Sequence, residues 1–460
     1  MRSPSEYRTG RRSAILIFPL ALALRSVFIL YPPCGPLFSD MHEYHEKALA
    51  MLEKGAYGHA TRPPLYPLFL AAVYRVAGDA RSPVACAQAL MGATVSLFAL
   101  GIARRLSGPR AGTVAGLLVA CYPGLIVYTG LIMSENLFIF LFTGALWLLA
   151  RDRAPAPGTY AAAGALLGLA CLTRSVLVGF IPLVAIWLWL RGERRGGALC
   201  LVSALVVLAP WTARNCLCYR QFVPLDTYGG YNFLIGNNPD ANGRQELPVL
   251  DRLGETYWKE WRLDRGDGAP PEIIVCPEGS AAGYRAGIRF IAAHPGRFLR
   301  LGIKKLGYLY GPEIRELSWG YSMEFFGGVP RALLIPAAVA IIAGFPLLAL
   351  LALGGVCFGV AGPREARGGW ALLGIAALYF SAAHFLTFGE SRFHLPLVPV
   401  LAVFAGRLVC PGTRASAVRL AAFAAVAALL ILDWSVRTSE DWGRIHTVLG
   451  QGGNTVHLDY

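Results

Sequence analysis

The stretch from Leu37 to Tyr74, LFSDMHEYHEKALAMLEKGAYGHATRPPLYPLFLAAVY, decides how the whole chain is interpreted. It places acids, histidines and prolines between two hydrophobic runs, at roughly 14–32 and 83–103. Each run is long enough to cross a bilayer, since a membrane helix needs about 20 mostly apolar residues. Ionisable groups beside a membrane are costly, so this concentration of them indicates a function rather than a simple linker.

The composition identifies an integral membrane protein. The chain has 460 residues, of which 55% are hydrophobic and only 15% are charged, and its mean hydropathy is +0.50. Ordinary globular domains carry about a quarter charged residues. We therefore expect an all-α polytopic fold.

Hydropathy predicts eleven membrane spans. The fifth and sixth are separated only by Arg174 and Ser175, and one bent helix over 159–190 is the alternative. That alternative would invert the topology of everything after it. The predicted spans are roughly 14–32, 83–103, 111–130, 136–150, 159–173, 175–190, 197–211, 331–354, 370–388, 395–410 and 417–434.

Arginine positions orient these spans, because short cytoplasmic loops concentrate Lys and Arg. With the N-terminus inside and the C-terminus outside, every arginine-rich short loop falls on the cytoplasmic side. The first run lacks a small-residue cleavage site after it, so we expect it to remain as an anchor. The arginines are Arg8, Arg11, Arg12, Arg104, Arg105, Arg110, Arg151, Arg153, Arg191, Arg194, Arg195, Arg364, Arg367, Arg407, Arg414 and Arg419.

This topology divides the chain into four parts. Residues 1–211 form an N-terminal transmembrane module that includes a first external loop at 33–82. Residues 212–330 form a long external segment, 331–434 the C-terminal membrane helices, and 435–460 an external tail.

Charge and cysteine usage argue against a nucleic-acid-binding protein and against a fold held by a framework of disulfides. The net charge of +14 is divided between short inner loops and the long outer segment, which argues against a nucleic-acid surface. Most of the ten cysteines lie in or beside apolar runs, where Cys acts as a small apolar residue. Four cysteines should face the oxidising side, where a disulfide is the alternative to free thiols. We expect free thiols for them: Cys34, Cys216, Cys218 and Cys276.

The first external loop is predicted to be helical. Asp40 precedes a helix starting at Met41, and Glu43 stands where a capping-box partner belongs. Glu43 and Lys47 have i,i+4 spacing, and Gly55 supplies a stop. Asp40 is therefore either a helix cap only or a reactive carboxylate.

Three further charged residues fall near the same external face. Glu135 lies at the turn between the third and fourth spans, and either begins a helix or belongs to a site. Arg62 and Arg392 each stand just before prolines at the interface. A guanidinium there suits a phosphate, although a residue reaching for the membrane surface is the alternative.

A metal site has only weak support from the sequence. His42 and Glu46 have i,i+4 spacing and are candidate ligands of a divalent cation, but solvated surface residues fit the spacing better. No other cofactor is predicted.

The external segment contains two recognisable patterns. Residues 226–244 are rich in Gly and Asn, which is typical of turns. Downstream, a helix interrupted at Pro295 continues as a basic amphipathic helix suited to anionic headgroups or to water.

Several short motifs, in this order and spacing, resemble the bacterial branch of a known superfamily. It comprises the protein O-mannosyltransferases (dolichyl-phosphate-mannose-protein mannosyltransferases) and the lipid A aminoarabinose transferases, which are polytopic GT-C glycosyltransferases. The motifs are SDMHEYHEKALAMLEKGAYG and RPPLYPLFLAAVY in the first loop, then YPGLIVYTGLIMSENLF, GLACLTRSVLVGFIPL, APWTARN, GGYNFLIGNNPDANG and RFHLPLVPVLAVFAG.

The resemblance implies a GT-C fold, a polyprenyl-phosphate-linked sugar donor, an unknown hydroxyl acceptor and chemistry on the outer face of the cell inner membrane. It assigns Asp40 as the catalytic carboxylate and Glu135 as the second acid. Membrane lipids surround the enzyme, and no nucleic acid is expected. The substrate-binding residues implied are Arg62, Arg392, Tyr44, Tyr66, His394, Tyr231 and Asn237.

Chemical logic agrees with this resemblance. A hydroxyl needs a carboxylate to take its proton as it attacks the anomeric carbon, and the departing phosphate needs positive charge. Asp40 is the expected base, Arg62 and Arg392 supply the charge, and inversion is expected. The alternatives are a polyprenyl-diphosphate-dependent ligase or polymerase and a lipid-linked sugar transporter or flippase; the sequence shows no paired repeats typical of transporters.

Overall fold

The computed structural model describes residues 4–31, 33, 35, 37–151, 155–245, 276–321, 331–359, 366–410 and 416–450. All regular secondary structure within these residues is helical. The N-terminal half contains α1 (Pro4–Arg25), α2 (Val27–Leu30), α3 (Asp40–Lys54), α4 (Leu65–Ala77), α5 (Arg81–Ser107), α6 (Pro109–Ala120), α7 (Pro123–Val127), α8 (Glu135–Leu149), α9 (Pro157–Cys171), α10 (Phe180–Leu190) and α11 (Arg194–Tyr219).

The C-terminal half is also helical. In the described part of the chain, four 3-10 segments lie between the helices: Tyr128–Gly130 and Ser175–Leu177 in the N-terminal half, and Ser391–Leu397 and Arg407–Val409 in the C-terminal half. The helices are α12 (Gly229–Ile235), α13 (Pro277–Ala293), α14 (Pro295–Leu309), α15 (Ile314–Tyr321), α16 (Arg331–Phe358), α17 (Arg367–Leu386), α18 (Val398–Gly406), α19 (Ala417–Glu440) and α20 (Trp442–Leu449).

Each of the eleven predicted spans falls on helical structure. Seven helical segments are long and apolar enough to cross a membrane, and α6 with the segment Pro123–Gly130 forms one further span bent by 52°. The other three predicted spans correspond to the shorter apolar helices α8, α9 and the segment Ser175–Leu190. The predicted all-α polytopic fold is confirmed.

The segment 159–190 forms two helices rather than one. Helices α9 and α11 run in parallel, because Gly164 faces the carbonyl of Cys200 and Gly168 faces that of Ala204 one turn further along both helices. The Tyr160 hydroxyl, at the start of α9, donates a hydrogen bond of 2.5 Å to Glu193, just before α11.

Helix α10 runs the other way. Gly197, near the start of α11, faces the carbonyl of Ala185 near the end of α10, as expected for a tight helical hairpin. Since α9 is parallel to α11 and α10 is antiparallel to it, the chain reverses at Arg174. The reversal supports the two-span interpretation. The later helices therefore keep the membrane orientation that was predicted for them.

The first external loop forms two packed helices, α3 and α4. Gly55 ends α3 in the left-handed conformation, with φ of 62°, as predicted. The predicted capping box is wrong: α3 begins at Asp40 itself, after Ser39, and no side chain caps it. The carboxylates of Asp40 and Glu43 are instead occupied by Arg62.

The described part of the external segment is also helical. Helix α13 ends at Ala293 and α14 begins at Pro295, which confirms the predicted break. Two parts of the predicted external segment, 246–275 and 322–330, lie outside the described residues. The nine cysteines that the structure describes are all free, and Cys34 lies outside them.

The close packing of α9 on α11 yields a stability prediction. A Cβ atom at Gly164 would lie 2.0 Å from the backbone oxygen of Cys200, so Gly164→Ala must push two backbones apart. We expect a loss of about 1–3 kcal/mol, typical of overpacking, seen as a fall in Tm of the detergent-purified protein. Gly158→Ala, in the same helix with nothing within 4 Å of its Cβ position, is the matched control. Equal Tm values for the two variants would contradict the packing described.

Candidate active site

A cavity of about 540 Å³ opens between the first external loop, the start of α8, the turn before α10, α12, α13 and the segment around Arg392. Its lining contains both charged and apolar side chains. The polar lining includes Asp40, Tyr44, Thr61, Arg62, Glu135, Thr173, Arg174, Ser175, Asp226, Tyr228, Asn232, Ser280, Tyr284, His384 and Arg392; the apolar lining includes Phe138, Val176, Val178, Leu225, Phe380, Phe393 and Pro396.

Asp40 lies at the charged end and binds two arginines at once. Its Oδ1 accepts a hydrogen bond of 2.8 Å from Arg62 Nη2, and its Oδ2 accepts one of 2.9 Å from Arg392 Nη1. The side chains are 14%, 19% and 6% exposed, respectively. Asp40 and Arg62 of the first loop thus meet Arg392, which lies just before the tenth predicted span, as expected.

Arg62 is fixed from two further directions. Its Nε donates to Glu43 Oε2 at 2.8 Å, and its guanidinium lies 4.6 Å from the centre of the Tyr228 ring. The Thr61 hydroxyl donates to the other oxygen of Glu43. Arg62 stands immediately before two prolines, and the chain enters α4 there, so its backbone is restricted to extended conformations.

Glu135 is the first residue of α8, and it is only 2% exposed. Its Oε1 accepts a hydrogen bond of 2.6 Å from Arg174 Nη1. Ser134 does not cap α8; its Oγ accepts from the Tyr44 hydroxyl at 3.1 Å and from Arg174 at 3.3 Å. Tyr44 is therefore positioned between the two acid–arginine groups.

Sequence reasoning missed Arg174 as a site residue. Its signal was available, since it is the charged residue at the break between the fifth and sixth predicted spans. The partner of Glu135 was not identified, because i,i+4 patterns do not reach across 39 residues. Glu43 was predicted as a helix-capping residue and an i,i+4 partner of Lys47; the structure pairs it with Lys47 at 3.8 Å and also with Arg62.

Three carboxylates and three guanidinium groups therefore balance at this end of the cavity. Burial alone would raise the pKa of the Asp40 carboxyl, but the charges of Arg62, Arg392 and Arg174 outweigh burial and hold that pKa well below its usual range. Asp40 is accordingly a carboxylate at any ordinary pH, and both of its oxygens are engaged.

The opposite wall comes from the Gly- and Asn-rich segment. Asp226 accepts a hydrogen bond of 3.0 Å from the backbone nitrogen of Tyr228, at the start of α12. Burial raises the pKa of the Asp226 carboxyl. Ser280 and Tyr284 of α13 complete this wall with hydroxyl groups. Such a set of donors and acceptors suits a ligand rich in hydroxyl groups.

Two expected substrate-binding residues of this segment lie elsewhere. Tyr231 packs beside Leu234 and against the edge of the Tyr228 ring. Asn237 is fully buried; its Oδ1 accepts from Lys305 Nζ at 3.1 Å, and its amide donates to the carbonyl of Leu386. Neither residue lines the cavity, because Tyr231 of α12 and Asn237, which follows that helix, both pack against neighbouring parts of the chain.

Tyr66 and His394 also lie behind the cavity rather than in it. The Tyr66 ring is fully buried, meets the Tyr44 ring edge-on at 4.9 Å and donates to Gln88 at 3.1 Å. His394 is fully buried and stacks on Phe345 at 3.5 Å. Both residues therefore support the cavity wall from outside.

A buried acidic cluster supports the segment that carries Arg392. Ser391 donates to Glu316 Oε2 at 2.6 Å, and His394 Nε2 lies 3.0 Å from Glu313 Oε1. Both carboxyl groups are fully buried. Burial raises the pKa of Glu313 to about 8 and that of Glu316 to about 7.

The candidate metal ligands contact each other. His42 Nε2 and Glu46 Oε1 are 3.0 Å apart, and both side chains are more than 60% exposed on the outer side of α3. Among the described residues no group of three or more His, Cys, Asp or Glu side chains is arranged to hold a metal ion. The divalent cation remains a prediction without a structural site.

These features define a class: a polytopic helical membrane protein with a charge-paired cavity that continues into an apolar one. Residues 61–213 match the family described as dolichyl-phosphate-mannose-protein mannosyltransferase. The matched region contains Arg62, Glu135 and Arg174, and it confirms, over about a third of the chain, the predicted resemblance to the protein O-mannosyltransferases. Asp40 and Arg392 lie outside it. No curated protein sequence matches the chain significantly.

Two of the solved structures similar to this chain are the following. The oligosaccharyltransferase AglB from Archaeoglobus fulgidus, in complex with an inhibitory peptide and a dolichol-phosphate, has 14% identity and a TM-score of 0.49; the alignment covers 92% of this chain and 55% of that one. ArnT from Cupriavidus metallidurans, bound to undecaprenyl phosphate, has 16% identity and a TM-score of 0.41, with 86% and 77% covered. This chain thus spans about half of the length of the archaeal protein.

The acidic cluster predicts a pH-dependent stability. Because the pKa values of Glu313 and Glu316 are raised from 4.5 to about 8 and about 7, the folded protein holds more protons than the unfolded chain between these limits. This stabilisation is complete below about pH 4.5 and is lost as the pH rises through 7 and 8, by at most about 1.4 kcal/mol per pH unit for each group. Lys305, whose pKa burial lowers to about 7, contributes with the opposite sign above that pH, so the carboxyl contribution is measured as the difference between the Tm profiles of the wild type and of a non-ionisable variant in detergent from pH 5.5 to 8.5.

The corresponding variants isolate this effect. Glu316→Gln keeps the shape and a hydrogen-bonding group beside Ser391 but cannot ionise. The Tm of the wild type should therefore fall relative to that of this variant as the pH rises. Superimposable profiles would show that Glu316 does not titrate in this range.

Proposed function

We propose that the protein is a membrane glycosyltransferase that moves a sugar from a polyprenyl-phosphate-linked donor to a hydroxyl group of an acceptor. The observation that carries this proposal is the meeting of the Asp40 carboxylate with Arg62 and Arg392 in a cavity with an apolar extension. A base and two phosphate-binding groups are the parts that this reaction needs.

The two ends of the cavity fit the two ends of such a donor. Phe138, Phe380 and Val178 form an apolar wall suited to an isoprenoid chain. The guanidinium groups of Arg62 and Arg392 suit the phosphate, because each can donate parallel hydrogen bonds to two oxygens. The description of the matched family, which names a dolichyl-phosphate sugar, supports the same donor class.

The chemistry follows from these positions. The acceptor oxygen attacks the anomeric carbon, the bond from that carbon to the phosphate oxygen breaks, and the electron pair leaves with the phosphate. The acceptor proton passes to Asp40, while Arg62 and Arg392 stabilise the charge that develops on the leaving group. Direct attack by the acceptor inverts the anomeric configuration. Glu135 acts indirectly, by holding Arg174 in the site.

The location of the site supports chemistry on the outer face of the cell inner membrane. Helix α9 runs from the cytoplasmic side predicted for Arg151 and Arg153 towards Arg174, which lines the cavity. Helix α10 returns towards Arg191 and Arg194, again on the predicted cytoplasmic side. The cavity and the arginine-rich loops therefore lie at opposite ends of these helices.

Transfer by the purified protein tests this proposal. In detergent, with a panel of polyprenyl-phosphate sugars and hydroxyl acceptors, we expect release of free polyprenyl phosphate together with a covalent glycoside. Asp40→Asn should lower the rate about 10²–10⁴-fold, as is typical for loss of a general base. Glu53→Gln, at the exposed end of the same helix, should leave the rate unchanged.

Two results would contradict the proposal. Equal rates for Asp40→Asn and the wild type would remove Asp40 from the mechanism. Movement of intact lipid-linked sugar across reconstituted vesicles, with no covalent product in detergent, would establish the transporter alternative instead.

A further inference from the structure

The geometry around Asp40 conflicts with its role as a base. Each carboxylate oxygen accepts a short hydrogen bond from a different arginine, at 2.8 and 2.9 Å. A carboxylate engaged in this way is a poor proton acceptor, since the two adjacent guanidinium charges favour its ionised form. The arrangement described here therefore stores the base in an inactive form.

The same two contacts use one N–H group of each guanidinium that is expected to bind the donor's phosphate. Arg62 Nη2 and Arg392 Nη1 cannot both keep Asp40 and offer these hydrogens to a phosphate. A carboxylate is planar and a phosphate is tetrahedral, but each presents a pair of anionic oxygens that suits the guanidinium fork. Asp40 thus takes the position of the ligand anion.

Both arginines have other contacts that hold them in place without Asp40. Arg62 is bound to Glu43 through Nε and lies over the Tyr228 ring. The Arg392 guanidinium lies 4.8 Å from the centre of the Phe393 ring, and its backbone belongs to a fully buried segment. Exchange of one anion for another therefore needs little rearrangement of the cations.

The other partners of each carboxylate decide which one gives way when a phosphodiester adds one negative charge. Asp40, Glu43 and Glu135 are each paired with one or two of the three arginines. Glu135 keeps its own bond to Arg174, at 2.6 Å and almost without exposure.

Glu43 likewise keeps its other partners, because Lys47 lies 3.8 Å from it and Thr61 donates to it. Asp40 has no comparable alternative in its described ion pairs, which are with Arg62 and Arg392. It is the carboxylate that an incoming phosphate most directly replaces.

We propose, as an extension of the proposed function, that the donor's phosphate displaces Asp40 from Arg62 and Arg392, so that the base is released only when the donor is bound. The exchange makes and breaks no covalent bond. The freed carboxylate then takes the acceptor's proton as the sugar is transferred. Donor binding precedes activation of the acceptor, which protects the site from deprotonating a hydroxyl before a sugar is present.

Binding of a non-reactive phosphodiester tests this exchange. Farnesyl methyl phosphate carries one fixed negative charge and an isoprenoid chain, and its dissociation constant is measured calorimetrically with the full-length protein in detergent. Asp40→Asn removes the competing anion, so we expect it to bind the probe about tenfold more tightly than the wild type, within the range for a charged hydrogen bond. Arg392→Gln should bind it at least about tenfold more weakly.

Glu135→Gln is the matched control. It removes one negative charge from the same cavity but leaves the bonds of Asp40 to both arginines intact, so it should change the affinity much less than Asp40→Asn. If Asp40→Asn does not fold, as judged by its Tm, Asp40→Ala removes the same competitor and should shift the affinity in the same direction.

The outcomes separate this inference from the proposed function. Affinity of Asp40→Asn equal to or weaker than that of the wild type overturns the displacement, provided that the wild type binds the probe through Arg392. Equal tightening by Glu135→Gln also overturns it, because net charge alone then explains the effect. Failure of the wild type to bind the probe at all overturns the phosphate site of the proposed function itself, and the inference with it.

Discussion

The mutual neutralisation of buried charges is the constraint on which the site depends. Arg62, Arg174 and Arg392 share one cavity with Asp40 and Glu135, Glu43 pairs with Arg62 beside it, and most of these side chains are less than a fifth exposed. An unpaired ion in such surroundings costs several kcal/mol, so removal of any partner leaves a strongly unfavourable charge. The fold must therefore bring segments 352 residues apart into hydrogen-bonding distance before either charge can be buried.

Interrupted helices deliver these charges to one level of the bundle. Arg62 precedes the prolines at the start of α4, Glu135 begins α8, and Arg174 occupies the reversal between α9 and α10. Arg392 lies in the 3-10 segment Ser391–Leu397 before α18. Backbone groups at helix ends lack intrahelical partners, so these positions are hydrated or polar already and accept charge at least cost. The site is thus assembled from the ends of helices, while their apolar interiors remain in the membrane.

The sequence predicted the helices far better than the contacts between them. Apolar runs report the bilayer directly, which is why all eleven predicted spans coincide with helical structure. The pairing of Glu135 with Arg174 depends on how α8 and α9 pack, and no local pattern encodes that. Asp40 illustrates the same limit: its local sequence predicts a helix cap, but a guanidinium from beyond Gly55 competes more strongly for its carboxylate than a backbone amide does. Tyr66 was expected to bind substrate but lies behind the cavity, because an aromatic residue that lines a site and one that packs behind it look alike in sequence.

The buried cluster behind Arg392 shows how a proton contributes to its positioning. His394 Nδ1 lies 2.7 Å from the carbonyl of Leu309, so this nitrogen carries a hydrogen that it donates. In the neutral imidazole Nε2 is then an acceptor, and its 3.0 Å contact with Glu313 Oε1 needs a hydrogen from the carboxyl group. The raised pKa of Glu313, about 8, agrees with a protonated acid at neutral pH. The segment that carries Arg392 is therefore held at His394 by a hydrogen bond between uncharged groups.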